Sequence, residues 1–594
     1  AALLPAAGEM TRPLIGSSLS TIVIFVPLAF LGGVTGGFFR ALAVTMAAAL
    51  SISLLFSLFI APILARAWLR ERDVADAEHA DALMAKSRER YGRWAGRAMQ
   101  RPLALVAIVG LGLIALGGLA YTRLPSGFMP KMDEGGFVLD YTAHPGAALS
   151  DTDRLLRQVE AIIRATPDVD SYSRRTGAQL GGGLTEADEG DFFIHLKRGH
   201  RRNVETVMAD IRRKVQSTVP GLDIETAQLM EDLIGDLTAV PQPVEIKLFG
   251  DDPAALHDSA QRTADAIGKI KGVVEVVNGL RVAGDSITIS VNRPAAAAEG
   301  LDADAVSKQV AALIDGSVVT QIQQGETSAG VRLWTPPALR GSVESIGALR
   351  LQAPDGHDLP LSRVASVTIT HGVAQITRQD LQPFLDVTAR LEGRDLGSGM
   401  AEVRKTVAGL HLAPSVRVEY GGLYAQQQQS FSDLAVVFAA ALLLVTLLLL
   451  FVFERWAVTA SVLAVVLMAA AAVFVGLWAT RTELDISALM GLTMVVGVVA
   501  ELAVFYFAEL PLDGEIDLAA LTTAGQARLR PILMSAIIAI LALSPLALGL
   551  GEGAAMQKPL AIAIISGLIA GAPLVLFVLP AVFWLLNGPR RGAG

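Results

Sequence analysis

The sequence predicts a polytopic α-helical membrane protein, with eight transmembrane helices and a large α+β head held outside the cytoplasm. Three observations predict it: eight long apolar runs, a basic bias in the short loops between them, and one polar insertion, Thr122–Ser432, of about three hundred residues. Of the 594 residues 52% are hydrophobic and only 18% charged, whereas a soluble domain carries about a quarter charged residues. The formal net charge of −8 leaves no dominant basic surface, which argues against nucleic acid as a partner. With no cysteine, disulfides and thiolate metal sites are excluded.

A hydrocarbon core of about 30 Å takes about 20 apolar residues in helical form. The runs that qualify are Leu14–Leu31, Ala41–Leu64, Leu103–Tyr121, Leu434–Phe453, Val458–Ala479, Ile486–Phe507, Leu533–Leu550 and Leu560–Leu586. Their direction follows from Lys and Arg in the short loops. Arg66–Arg101 holds nine of them, with Trp68 and Trp94, and reads as a cytoplasmic amphipathic helix lying on the membrane. Alternating from there puts Arg12, Arg455, Arg528, Arg530, Arg590 and Arg591 on the same side. The long polar segment then faces away from the cytoplasm.

Within that segment strands and helices alternate. Gly136–Tyr141, Phe192–Leu196, Val244–Phe249, Val273–Val277 and Ser286–Val291 have strand character, and Asp151–Ala165, Val204–Val219 and Asp252–Ile270 helical character. Units of this length suggest small α+β sandwiches with helices on one sheet face. The stretch Arg293–Thr370 carries Gly and Pro punctuation and reads as an inserted subdomain.

The chain also repeats itself. At one constant offset Arg12 matches Arg530, Pro13 matches Pro531, Ser17 matches Ser535, Pro27 matches Pro545, Gly33 matches Gly551, and Pro62 matches Pro580. Apolar filler aligns by chance, but punctuating residues in register over two helices do not. Both copies run the same way, which makes this a parallel transporter repeat. By repeat order, the chain is expected to begin partway through its first copy.

These features, with RLRPILMSAIIAILALSPLALGLGEGA at 528–554, LPSGFMPKMDEGGFVL at 124–139 and VEIKLFGDD at 244–252, make the sequence resemble the resistance–nodulation–division (RND) efflux permeases. The resemblance covers essentially the whole chain. It implies an organisation of 1–65 as the last two helices of a first repeat, 66–101 as a linker helix and 102–121 as the first helix of the second repeat. It further implies ferredoxin-like porter subdomains at 122–242 and at 243–292 with 371–432, a docking subdomain at 293–370, five transmembrane helices at 433–588, and a tail at 589–594. A homotrimer in a bacterial inner membrane is implied, with a periplasmic adaptor protein, an outer-membrane channel and membrane lipid as partners and no cofactor. The fourth-helix aspartates of the family would lie upstream of Ala1.

The residue singled out for proton coupling is Glu501, because a carboxylate in mid-span is costly and points to function. The pair Glu501-Leu502 is similar to that of the monovalent-metal branch, where many multidrug members have Lys followed by Asn. Arg528 and Ser535 match relay positions of the family; the plainer readings are a positive-inside anchor and a helix hydroxyl bonded to backbone. Soft thioethers suit Cu(I), but the resemblance puts Asp140 and Leu301 where copper exporters have methionines. Glu231, Asp232, Asp236, His195 and His200 are available for divalent ions, and Phe128, Phe137, Phe192 and Phe193 for an apolar pocket with Asp140 beside it. Metal ion and organic compound both stay open as substrate. A related envelope lipid or protein-export accessory is the alternative. No enzyme motif is present: no HExxH, GxSxG or P-loop occurs.

Overall fold

Without water, every backbone N–H and C=O has to be satisfied inside its own segment, so apolar runs of this length fold as helices. The computed structural model describes residues 3–68, 71–177, 186–238, 242–280, 284–370, 376–510, 516–551 and 553–587. The expected tail at 589–594 with Arg590 and Arg591 lies outside them, as do the side chains of Arg12 and Asp236. Among the described residues seven helices are long and apolar enough to cross a membrane: Gly33–Trp68, Pro102–Arg123, Gly422–Phe453, Trp456–Ala479, Ile486–Phe507, Leu518–Ala547 and Ala554–Asn587. The eighth expected run falls in helix Leu3–Leu28, whose apolar part is confined to Leu14–Leu28. It stops short of Leu31 because a turn follows, with Gly33 at φ +62°, a conformation that favours glycine.

The internal repeat has a structural counterpart. Besides a π-helical turn at Ala107–Leu111, single π-helical turns interrupt two further helices, at Phe56–Ile60 and at Leu574–Val578. They fall at the same offset that relates Arg12 to Arg530, and Gly551, the counterpart of Gly33, is also left-handed, at φ +113°. The helix Ile486–Phe507 is enclosed by its neighbours, with Val495, Val496, Val499, Ala500 and Ala503 all buried. Glycines permit that enclosure: a Cβ at Gly567 would come within 2.5 Å of Val495, and one at Gly571 within 2.8 Å of Val499. Close backbone approach through small residues is the usual way membrane helices associate.

The chain divides into two compact units, one of Ala1–Glu134, Met230–Asn278 and Leu385–Gly594, the other of Gly135–Leu229 and Gly279–Phe384. The first holds the apolar helices and an α/β layer. In that layer strands Gln382–Leu391, Val244–Phe249 and Arg417–Gly421 lie side by side, and Val273–Val277 pairs with the first. Helices Pro253–Ile267 and Leu396–Ala408 close its core through Leu256, Ala260, Met400 and Val403. Strand Arg417–Gly421 passes directly into the apolar helix Gly422–Phe453, and the buried carboxylate of Glu245 accepts the backbone N–H of Gly422 at 2.9 Å.

The second unit contains a four-stranded antiparallel sheet in the spatial order Val169–Thr176, Glu189–Leu196, Gly136–Ala143 and Leu222–Gln228. Helices Leu149–Ala165 and Val204–Thr218 cover one face, meeting Phe137, Leu139, Tyr141, Phe192 and Ile194. A separate core forms around Leu301, Val306, Leu351, Leu361 and Val364. The strand Ser286–Val291, expected with the preceding α/β half, sides instead with this core. It pairs with Ala365–Thr370 and packs Ile289 and Val291 against it. From here a hairpin, Ser317–Gln324 with Thr327–Leu333, projects with every residue exposed.

Candidate functional site: a buried carboxylate and its helix

Glu501 sits four turns into helix Ile486–Phe507, on a side chain largely enclosed by neighbouring helices. One turn earlier is Gly497, where a Cβ would lie 2.3 Å from Ile24 and 3.2 Å from the Thr21 backbone. Glycine there lets helix Leu3–Leu28 approach closely, and the approach delivers the partner: Thr21 Oγ1 donates to Glu501 Oε2 at 2.9 Å. The same hydroxyl lies 3.5 Å from the carbonyl of Ser17. Thr21 therefore has two acceptors for one hydrogen, and its oxygen can itself accept when the carboxyl is protonated.

The expected grouping of Glu501 with Arg528 and Ser535 is not brought together. Arg528 is held by Glu509, Nη2 to Oε2 at 2.7 Å. Glu509 lies beyond the end of the Glu501 helix, and six residues of helix from Glu501 to Phe507 rise about 9 Å. Tyr506 fixes the same end by donating to the carbonyl of Leu521 at 2.7 Å. Ser535 is exposed on helix Leu518–Ala547, in a row with Met534, Ile537, Ile538 and Leu541. It reaches neither Glu501 nor Arg528.

The candidate pocket residues also separate. Phe128 is buried in the core of the apolar helices. Phe137 and Phe192 are fully buried in the four-stranded sheet's core, and Phe193 lies beneath the Arg175 guanidinium at 4.8 Å. Side chains alternate along a strand, so Asp140 is exposed on the sheet face opposite Phe137. Phe137 thus fills a core and lines no open cavity. Among the described residues no group of three or more His, Asp or Glu side chains is placed to hold a metal ion. Glu231 pairs with Arg390 at 2.9 Å and His195 faces Asp170 at 3.4 Å.

The start of the Glu501 helix shows a connection that sequence reasoning missed. Asp485 caps it, accepting the Ala488 N–H at 2.8 Å, and is 1% exposed. The segment just after helix Pro102–Arg123 bonds to this entry: Leu484 N–H to Pro125 O at 2.8 Å, Gly127 N–H to Leu484 O at 3.1 Å, and Ile486 N–H to Phe128 O at 3.3 Å. Lys131 adds an ion pair to Glu483 at 2.7 Å. The same segment reaches the α/β layer, where Asp395, the cap of helix Leu396–Ala408, accepts Ser126 N–H at 3.2 Å and Gly397 N–H donates to Ser126 O at 3.1 Å. A four-residue strut, residues 125–128, thereby joins a helix of the layer to the helix that carries Glu501.

Helices long and apolar enough to span a membrane, a largely enclosed carboxylate among them and an α/β layer tied to its helix define the fold of a multi-pass membrane protein. The chain belongs to the AcrB/AcrD/AcrF family, whose family model matches residues 1–587. It is 27% identical to the cobalt-zinc-cadmium resistance protein CzcA of Cupriavidus metallidurans over 98% of its length and 56% of that protein's. It is 28% identical to the nickel and cobalt resistance protein CnrA of the same organism, over 99% and 55%. Against the multidrug resistance protein MdtC of Pectobacterium carotovorum identity is 25%, over 98% and 57%. The crystal structure of a heavy metal efflux pump superimposes with a TM-score of 0.83 at 24% identity, covering 97% of this chain and 58% of that one. The chain thus spans little more than half the length of these relatives, and that crystal structure shares its fold.

Proposed function

We propose that the chain is part of a proton-driven RND efflux permease of a bacterial inner membrane, exporting metal ions or toxic organic compounds. The observation that carries this reading is Glu501, a carboxylate enclosed among spanning helices and hydrogen-bonded to Thr21. An ionisable group in that position points to a functional site, and a carboxyl group there can take up and release a proton. In the ionised state Glu501 accepts from Thr21. On protonation the carboxyl can donate to Thr21 Oγ1, releasing the threonine hydrogen toward Ser17 O. That exchange alters how helices Leu3–Leu28 and Ile486–Phe507 are joined. The strut through Ser126 offers a route from the second of these to the α/β layer. Arg528, paired to Glu509, serves as an anchor at the helix end.

The names of relatives favour metal ions first, with organic compounds represented by MdtC. The two α/β layers fit a pair of porter subdomains, and the core around Leu351 with its exposed hairpin fits a docking subdomain of a homotrimer. A periplasmic adaptor and an outer-membrane channel complete the assembly we propose. The test is resistance profiling of the intact gene in a pump-deleted host against dyes, detergents and divalent metals. The expected result is resistance to at least one class that is abolished by Glu501→Gln. Resistance fully retained by that variant overturns the proton-carrier role.

A further inference from the structure

The linker helix Glu71–Met99 has two faces with opposite tasks. Tyr91, Ala95 and Met99 recur at four-residue spacing and are buried in the core of the apolar helices. Tyr91 donates to the carbonyl of Leu576 at 2.8 Å and tilts against Phe577, with ring centroids 5.3 Å apart. Gln526 donates to the carbonyl of Arg88 at 3.2 Å. The crossing is tight on both sides: a Cβ at Gly525 would fall 2.0 Å from the Tyr91 hydroxyl, and one at Gly92 would fall 2.1 Å from Gln526. The helix is thereby clamped to Leu518–Ala547.

On the opposite face Lys86, Arg90, Arg93 and Arg97 follow at helical spacing, Arg101 continues the line, and all five are exposed. Glu89 is the single acid between Met84 and Arg101. Among the described residues no carboxylate pairs with any of the five cations. Trp94, 63% exposed, flanks the stripe. Only Gln100 and Arg101 separate this helix from the spanning helix that starts at Pro102. The stripe is therefore held at the level where a spanning helix leaves the hydrocarbon, which is the level of lipid headgroups.

We propose that this face is a docking surface for anionic phospholipid headgroups, bound by the five cations with Trp94 seated among the acyl-chain roots. The argument rests on charge complementarity and on the two-residue connection to the span, and it assumes the membrane placement above but not the efflux reading. Five cations with no carboxylate partner among the described residues, and one acid between Met84 and Arg101, are matched by a surface of negative phosphates, and an exposed Trp suits the boundary between headgroup and chain.

The test uses the full chain reconstituted in phosphatidylcholine vesicles with spin-labelled phosphatidylglycerol or spin-labelled phosphatidylcholine as probe. The expected result is a preference for phosphatidylglycerol of roughly fivefold or more. It should fall at least about threefold in the variant K86Q/R90Q/R93Q/R97Q/R101Q, and partly in R93Q/R97Q, which guards against misfolding of the larger variant. Brominated phosphatidylglycerol should quench the fluorescence that W94F removes, and brominated phosphatidylcholine should quench it less. Equal quenching by both lipids overturns the proposal, as does an unchanged preference in both variants. Displacement of the labelled lipid by millimolar inorganic phosphate, which would mark a site for soluble anions, also overturns it. None of these readings depends on transport, so they separate from a failure of the efflux assay.

Discussion

Glu501 and Thr21 form a pair in which each protonation state has its own hydrogen-bond pattern, and that makes specific substitutions informative. Glu501→Gln keeps an acceptor for Thr21 but removes the titration, so proton-coupled flux should vanish while the purified protein melts as before. Thr21→Val leaves the carboxylate without its donor and should lower flux by roughly tenfold, the size of one hydrogen bond to a charged group; Thr21→Ser should restore most of it. Flux measured in vesicles under an imposed pH gradient distinguishes the three. Glu245, outside the apolar helices, carries a different consequence. Burial pushes its carboxyl above the ordinary range, with Lys247 and the Gly422 N–H opposing that shift. The native state thus holds the proton more tightly than the unfolded chain, so this group's contribution to stability is present at acid pH. It is lost as pH rises from the ordinary carboxyl pKa through the raised native one. Glu245→Gln keeps an acceptor for Gly422 and removes that loss. Its melting midpoint should change less between pH 5 and pH 8 than the parent's, by on the order of 1–2 °C.

Between elements, the helix crossing at Gly497 and the strut at Ser126 make the connections that single residues cannot. A methyl group at Gly497 has 2.3 Å of space before Ile24, so Gly497→Ala should separate helices Leu3–Leu28 and Ile486–Phe507. Overpacking of this kind costs about 1–3 kcal/mol, and the variant should also lose flux because Thr21 no longer reaches Glu501. At the strut, a Cβ on Gly397 would fall 2.2 Å from Ser126 Oγ, so Gly397→Val should break the tie to the α/β layer. Insertion and melting should persist while proton flux and substrate flux come apart, measured in the same vesicles. The repeat was legible in the sequence because proline, glycine and arginine resist drift into apolar filler, and the paired π-helical turns fall where that register puts them. Eight elements of the head were legible from their alternation, within a few residues, but the strands Val169–Thr176, Leu222–Gln228, Gln382–Leu391 and Arg417–Gly421 and the helix Leu396–Ala408 were not read. The pairing of Thr21 with Glu501 was not, because its repeat counterpart is Ala539 and nothing local marks a threonine that faces a carboxylate far along the chain. Nor was the outward aspect of Ser535, since a helix apolar on every side does not declare which face its neighbours cover.

At the scale of the whole molecule, the hairpin Ser317–Leu333 is the feature that this chain alone does not account for. An isolated two-stranded hairpin is marginal in water, yet here both strands are exposed along their length and carry Val318, Val319, Ile322, Val331 and Leu333 at the surface. Its register is regular apart from one irregularity between Val318 and Thr320, so the arm is well formed without a core beneath it. Open strand edges and unpartnered apolar side chains invite pairing with another chain. In the homotrimer we propose, the arm is the natural means by which one protomer grips the next. At its base the guanidinium groups of Arg332 and Arg340 lie over the Trp334 ring, at 4.6 and 3.8 Å from its centroid, and these cation–π contacts help fix the direction in which the arm leaves the domain. Replacing Val319–Arg332 by a short glycine-containing turn spares the core around Leu301 and Leu351, since none of the removed residues belongs to it. The shortened protein should therefore fold and insert but migrate as a smaller species in native mass spectrometry from detergent. A trimer of undiminished stability would show that the contacts between protomers lie elsewhere. Replacing only Trp334 with Ala should have an intermediate effect, because it frees the arm's direction while leaving its apolar surface in place.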